Sequence, residues 1–190
     1  MQMDKKKYTQ RLFLSIELPR FAREQIVQAR KTWRKQIEGD VRWVPPLNLN
    51  LVLRFLGELP VSQSKSLGKK LDQLSSQTKA FQMSVAGVGF LPSQMEAKSV
   101  YLELEEPEPL RLLREQIDEY CRKVQIPRDK KPFEPRVTLG WCSEPQSMPQ
   151  LRIKPGLKGF MVRTYSLMEA RQGQKGPSYH QLRRFSLSGE

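Results

Sequence analysis

The period of apolar and polar positions changes several times along the chain, and each change marks an element. Residues 11–18 (RLFLSIEL) alternate partly and predict a strand. Pro19 opens a helix of about 18 residues, as proline does at a first helical position. Phe21, Ile26, Ala29, Trp33 and Ile37 fall at helical spacing and form its expected buried stripe, with Arg23, Arg30, Lys31 and Arg34 off it. Gly39-Asp40 ends the helix, and residues 41–44 make a short extended piece stopped by Pro45-Pro46. Residues 49–56 (LNLVLRFL) predict a strand closed by Gly57, and residues 62–76 a helix with Leu67, Leu71 and Leu74 as its stripe. Residues 80–90 are extended, with two glycines that suggest a bend or bulge. A clear alternation starts at Ser99 (SVYLELE). Pro107 and Pro109 introduce a third helix, with Leu110, Leu113, Ile117, Cys121 and Val124 on one face. A basic loop over 125–132 leads to a strand over 133–141. Residues 159–168 and 178–187 are the last strands, with Gly173, Gly176 and Pro177 between them. Strands mixed with three helices and no fixed-period repeat predict an α+β fold.

A length of 190 residues fits one domain or two small, intimately packed lobes. The formal net charge of +13 speaks about partners rather than fold. It favours a polyanion such as nucleic acid, acidic lipid or a phosphorylated ligand, against the plainer reading of a generally basic protein. Cys121 and Cys142 give neither a disulfide framework nor metal spacing, which suits a cytoplasmic protein with reduced thiols. The opening apolar run is too short to cross a membrane and no small-residue cleavage pattern follows it. Residues 1–10 are therefore expected to be a basic flexible tail, and residues 11–190 one domain.

Two segments carry the candidate chemistry: Asn50-Leu51-Val52-Leu53 within PPLNLNLVLRFLGELP, and Arg136-Val137-Thr138-Leu139 within KPFEPRVTLGW. In a strand, residues i and i+2 share a face, so Asn50 sits with Val52 and Arg136 with Thr138. With RLFLSIELP, VAGVGFLPS and LMEARQGQKGPSYHQLRRFSL, these segments resemble the RNA 2′,3′-cyclic phosphodiesterase (2′-5′ RNA ligase) family of two-histidine phosphoesterases. The likeness runs from about residue 11 to 187. It implies a bilobal α+β fold, two pseudo-symmetric lobes each with an antiparallel sheet and helices around a central cleft. It also implies metal-free, cofactor-free opening of a terminal cyclic phosphate on RNA. That family carries His-x-Thr/Ser-x once per lobe. Asn50 and Arg136 stand at the histidine positions here, Val52 at the first hydroxyl position, and Ala170 where a serine is usual.

General acid–base catalysis needs groups that titrate near the working pH. An amide does not titrate and a guanidinium stays protonated in proteins, so no catalytic residue is expected. Asn50, Arg136 and Thr138 are better suited to holding a phosphate than cutting it: arginine offers a charged fork matched to phosphate oxygens, and Thr138 a hydroxyl. Trp43, Trp141 and Arg54 flank the motif strands as candidate base contacts, while Phe55 is assigned to the core. These residues predict a monomer that binds RNA or a nucleotide with a terminal phosphate. Three alternatives stay open: Arg136 pointing to solvent or pairing with Glu134, a phosphodiesterase of altered mechanism, and a protein-interaction module. His180, the sole histidine, matches a variable hairpin position and cannot replace two imidazoles. Other chemistries lack their parts: one histidine and two separated cysteines make no zinc site, and Gly87 and Gly89 have no following Gly-Lys-Ser/Thr.

Overall fold

The computed structural model describes residues 9–127, 129, 132–152, 157, 159–173 and 176–189. The predicted tail lies outside them, save that the first strand already starts at Thr9. In chain order the elements are β1 (Thr9–Glu17), α1 (Arg20–Gln36), β2 (Val41–Trp43), β3 (Asn50–Pro60), α2 (Val61–Gln77), β4 (Phe81–Leu91), β5 (Ala97–Leu104), α3 (Glu108–Lys123), β6 (Arg136–Gln146), β7 (Gly159–Val162), β8 (Thr164–Gly173) and β9 (Gly176–Ser186). The strands form two antiparallel sheets, one in the order β3-β1-β8-β9 and the other β2-β6-β5-β4-β7. This is the expected α+β architecture with one motif strand in each sheet.

The helices decide which face of each sheet is left open. α2 and α3 cover the four-stranded sheet: Tyr165 on β8 donates its hydroxyl to the Leu71 carbonyl at 3.0 Å, and Arg183 on β9 pairs with Asp72. The stripes Leu67, Leu71, Leu74 and Leu110, Leu113, Ile117, Cys121 are all buried, as their spacing requires. α1 leaves β1 and packs on the five-stranded sheet. There Trp33 lies 5.9 Å from the Trp43 ring. One apolar core runs between helices and sheets.

Two readings of α1 change. Phe21 is 47% exposed, while Arg30 is buried on the stripe with Ala22, Ile26 and Trp33. Arg30 donates to the carbonyls of Val44 at 2.7 Å and Leu139 at 3.1 Å, and lies over the Trp43 ring at 5.2 Å. Burial, aided by nearby Arg34, lowers its pKa to about 10, so it stays charged at neutral pH while bound to those carbonyls. The expected single strand over 159–168 is two. β7 pairs with β4 and β8 with β1 and β9, so the chain changes sheets at Arg163.

Candidate functional site

β1 and β3 fix the first half of the site. Their register sets Glu17 opposite Asn50 and Ser15 opposite Val52, and then skips Leu53, so that Leu14 faces Arg54 and Phe13 faces Phe55. Leu14 points to the helices with Leu12 and Ile16. Ser15 and Glu17 point to the other, helix-free face. Asn50 and Val52 therefore share that face, as alternation predicts. The bulge at Leu53 turns Arg54 to the opposite side and Phe55 to the helix-free side, since one extra residue inverts the facing, until a second irregularity skips Leu56 before Gly57.

This overturns the expected base contact for Arg54. It is 2% exposed, pairs with Asp118 at 3.1 Å and Asp129 at 3.2 Å, and donates to the Pro127 carbonyl. Asp118 also pairs with buried Arg114, whose guanidinium lies 5.3 Å from the Phe133 ring centre. The cluster ties β3 to α3 and to the loop that leads into β6. Phe55, by contrast, is 64% exposed instead of in the core, 6.3 Å from the Phe13 ring.

β5 and β6 fix the second half. Glu103 stands opposite Arg136 and Tyr101 opposite Thr138. The register then skips Leu139, so that Val100 meets Gly140 and Ser99 meets Trp141. Val100, Gly140 and Trp43 lie on the side of α1. Arg136, Thr138, Tyr101, Glu103 and Trp141 share the helix-free side. Trp43 is thus wedged against Trp33 and Arg30 and is not available as a base contact, whereas Trp141 is 49% exposed on the motif face. Tyr101 lies over Gly89, where an added Cβ would come within 2.3 Å of its ring. Burial, then Glu103, raises the Tyr101 pKa, which keeps its hydroxyl protonated at neutral pH.

Arg136 Nη1 donates to Glu134 Oε2 at 2.6 Å, and the guanidinium lies 5.6 Å from the Tyr101 ring centre. The Glu134 pairing weighed from the sequence is therefore present. It is an exposed pair, with side chains 34% and 60% accessible, and such pairs contribute only about 0–1 kcal/mol. It leaves the other guanidinium donors without partners among the described residues. Asn50 is 8% exposed and donates through Nδ2 to the Asn48 carbonyl at 3.0 Å. His180 is exposed on β9, 3.2 Å from the Ser178 hydroxyl.

β3 and β6, though in different sheets, lie in contact with each other. The two motif strands thus touch across the boundary between the sheets. Two surface cavities lie elsewhere. One of about 380 Å³ sits between α1 and Leu47. One of about 900 Å³ runs along β4 and reaches Glu103. Neither includes Asn50, Thr138 or Arg136. Among the described residues no cluster of three His, Cys, Asp or Glu could hold a metal, and no helix is long and apolar enough to cross a membrane.

Sequence reasoning passed over Glu17, Ser15, Ser166 and Gln181. Glu17 Oε1 accepts from the Ser166 hydroxyl at 3.0 Å and from Gln181 Nε2 at 2.8 Å. The signal was available in RLFLSIEL, whose alternate positions 13, 15 and 17 run Phe, Ser, Glu against the apolar 12, 14 and 16.

Two helix-backed antiparallel sheets, meeting along one motif strand each, define an α+β class that comparison resolves to a family. The profile described as the 2′-5′ RNA ligase superfamily matches residues 20–169, and the chain belongs to that family. It is 33% identical to the RNA 2′,3′-cyclic phosphodiesterase of Thermus thermophilus over 192 residues, which covers 95% of this chain and 91% of the relative. Its fold is similar to that of Escherichia coli LigT. The crystal structure of LigT complexed with 3′-AMP superposes with a TM-score of 0.79 at 26% identity, covering 95% of this chain and 99% of LigT. The complex with ATP gives a TM-score of 0.72 at 26% identity, covering 95% and 98%.

Proposed function

We propose that this protein binds RNA ends or nucleotides through a terminal phosphate held by Arg136, Thr138 and Asn50, and does not hydrolyse them. The observation that supports the reading is where these residues lie on the two motif strands. Arg136 and Thr138 lie on the helix-free side of β6, Asn50 lies on that of β3, and the two strands touch. Relatives complexed with 3′-AMP and with ATP support a phosphate-bearing ligand. A chain whose one histidine sits on β9, away from both motifs, supports binding without turnover. Such a site stabilises a bound phosphate without stabilising a transition state.

The Glu134 carboxylate is the obvious competitor for Arg136. An exposed ion pair contributes at most about 1 kcal/mol, and a charged hydrogen bond to phosphate about 1.5–3 kcal/mol. The phosphate therefore wins the guanidinium. The decisive experiment is titration of a labelled oligoribonucleotide carrying a 3′-phosphate at two salt concentrations. Affinity should fall steeply with salt, and Arg136→Ala should weaken binding by about 1.5–3 kcal/mol, with Lys98→Ala close to neutral. Equal binding by Arg136→Ala and the parent would remove the pocket from the reading. Absence of binding at low salt would favour a protein-interaction module.

The aromatic contacts give an independent check. Stacking on an exposed ring contributes about 1–3 kcal/mol per base. Trp141→Ala is expected to weaken oligonucleotide binding by that amount with an unchanged melting temperature. Trp43→Ala, which empties the space under Arg30 and beside Trp33, should lower the melting temperature instead. The reverse pattern would mean that the base lies on the other side of β6.

A further inference from the structure

The corner around Asn50 holds a group that a phosphate alone does not explain. Glu17 is the cross-strand neighbour of Asn50 on the helix-free face. Its carboxylate is held from two other strands. Ser166 on β8 and Gln181 on β9 both donate to Oε1, and Gln181 Nε2 also lies 2.8 Å from the Ser166 hydroxyl. Oε2 has no donor among the described residues. Two residues earlier on the same face, the Ser15 hydroxyl is fully buried and unpartnered. It stands in one row with Val52 and Ser166.

A carboxylate at this place repels a phosphate, so it is a liability unless the ligand brings it a hydrogen-bond donor. It can only accept. The donor closest to a terminal phosphate on RNA is the neighbouring ribose hydroxyl, and DNA lacks it. We infer that Glu17, aimed by Ser166 and Gln181, accepts a hydrogen bond from the ribose hydroxyl beside the terminal phosphate and so selects ribonucleotide over deoxyribonucleotide ends. The inference rests on the phosphate-binding reading above and adds the sugar that the site takes. The 2′-hydroxyl is the group by which a protein distinguishes RNA from DNA at a single position. A site built to bind a hydroxyl discriminates strongly against the analogue without it, because its polar group is left unpaired.

The test uses three labelled oligonucleotides of one sequence, each ending in a 3′-phosphate, with a terminal ribose, 2′-deoxyribose or 2′-O-methylribose. A fourth carries the ribose and no phosphate. The parent protein should bind the ribose end about tenfold more tightly than the deoxy and the O-methyl ends, the low end for one charged hydrogen bond. The O-methyl sugar keeps the oxygen, loses the donor and adds a methyl group, while the deoxy sugar loses the hydroxyl without added bulk, so both must weaken binding. Glu17→Gln keeps the size of the side chain and its contacts to Ser166 and Gln181 but removes the charge, and should bring the ratio to within about threefold. Gln181→Met, which releases the carboxylate from one of its guides, should give an intermediate ratio. A purely structural carboxylate would shift the melting temperature and leave the ratio unchanged. If the parent binds all three phosphorylated ends equally, the inference is overturned whether or not the variants fold, and the phosphate reading stands. If the oligonucleotide without phosphate binds as well as the one with it, the phosphate reading itself fails.

Discussion

Replacing Arg54 by alanine is expected to lower the unfolding free energy by about 3 kcal/mol, near the low end for removing one partner of a buried ion pair. The guanidinium is 2% exposed and faces two carboxylates. Its Nε and Nη1 contacts are ion pairs rather than well-directed hydrogen bonds, and Asp118 and Asp129 are 31% and 36% accessible. Both acids can rehydrate in part, which keeps the loss from reaching the top of the range. Burial raises the pKa of the neighbouring Cys121 thiol, so it stays neutral and offers no substitute charge. Arg54→Met is the informative companion. It fills the space but takes the Arg54 partner from Asp129 and leaves Asp118 with Arg114 alone, so most of the loss should persist. Urea unfolding of both variants measures this, and a loss below about 1 kcal/mol for either would reduce the cluster to the status of a surface pair. Because Arg54 also holds the Pro127 carbonyl, the loop that delivers Arg136 should loosen with it, and phosphate affinity should drop alongside stability.

The same residue marks where the sequence stopped being legible. The stripes of α2 and α3 were readable because helical periodicity is averaged over four turns and survives local irregularity. Alternation in a strand has no such averaging. One bulge at Leu53 moved Arg54 under α3 and brought Phe55 to the surface, and a second at Leu139 put Trp141 on the motif face while Trp43 lies on the other. No glycine or proline announces the bulge at Leu53, and Gly140, next to Leu139, was the one local signal of the second. Asn50 with Val52, and Arg136 with Thr138, were placed correctly on shared faces because each pair lies before its bulge. Arg30 illustrates a different failure. It was read as lying off the stripe, although it follows Ile26 by four residues and precedes Trp33 by three and so shares their buried face. What reconciles its charge with burial is a pair of backbone carbonyls, Val44 and Leu139, that only the tertiary fold supplies. The split of β7 from β8 at Arg163 was equally silent, since the chain runs extended through the change of sheet.

The two halves of the site are alike in more than their motif strands. In each, a bulge follows the motif, a buried arginine donates to the backbone, and a glutamate stands across the ladder from the first motif residue. Glu17 faces Asn50 and Glu103 faces Arg136. Arg30 on α1 donates to the carbonyl of the bulged Leu139, and Arg54 anchors β3 through α3 and its loop. Motif strands placed this way are held by helices that lie on the far sides of both sheets. Side chains on the near faces can therefore change without loss of the scaffold, and this is how a family fold can persist while its chemistry changes.

The triple replacement Asn50→His, Val52→Thr and Arg136→His is expected to create turnover of a 2′,3′-cyclic nucleotide where the parent gives none above a buffer blank. Neither motif position of the parent holds a group that exchanges a proton near neutral pH, and a well-placed acid or base contributes about 10²–10⁴-fold each. The surroundings already suit imidazoles. Glu17 lies across the ladder from position 50 and Glu103 from position 136, and a carboxylate beside an imidazole fixes its tautomer and orientation. Thr138 remains to hold a phosphate oxygen, and threonine at position 52 would add a second hydroxyl beside Ser15. Separation of the cyclic nucleotide from its 2′- and 3′-monophosphates by chromatography reads the outcome. Turnover by the triple variant should follow a bell-shaped pH profile, with one limb for the base and one for the acid. Each single histidine variant should stay near the blank, because one imidazole cannot act as acid and base in the same step. Equal turnover by the parent and the triple variant, free of contaminating nuclease, would mean that other groups in the groove carry the protons, and binding without hydrolysis would have to be abandoned.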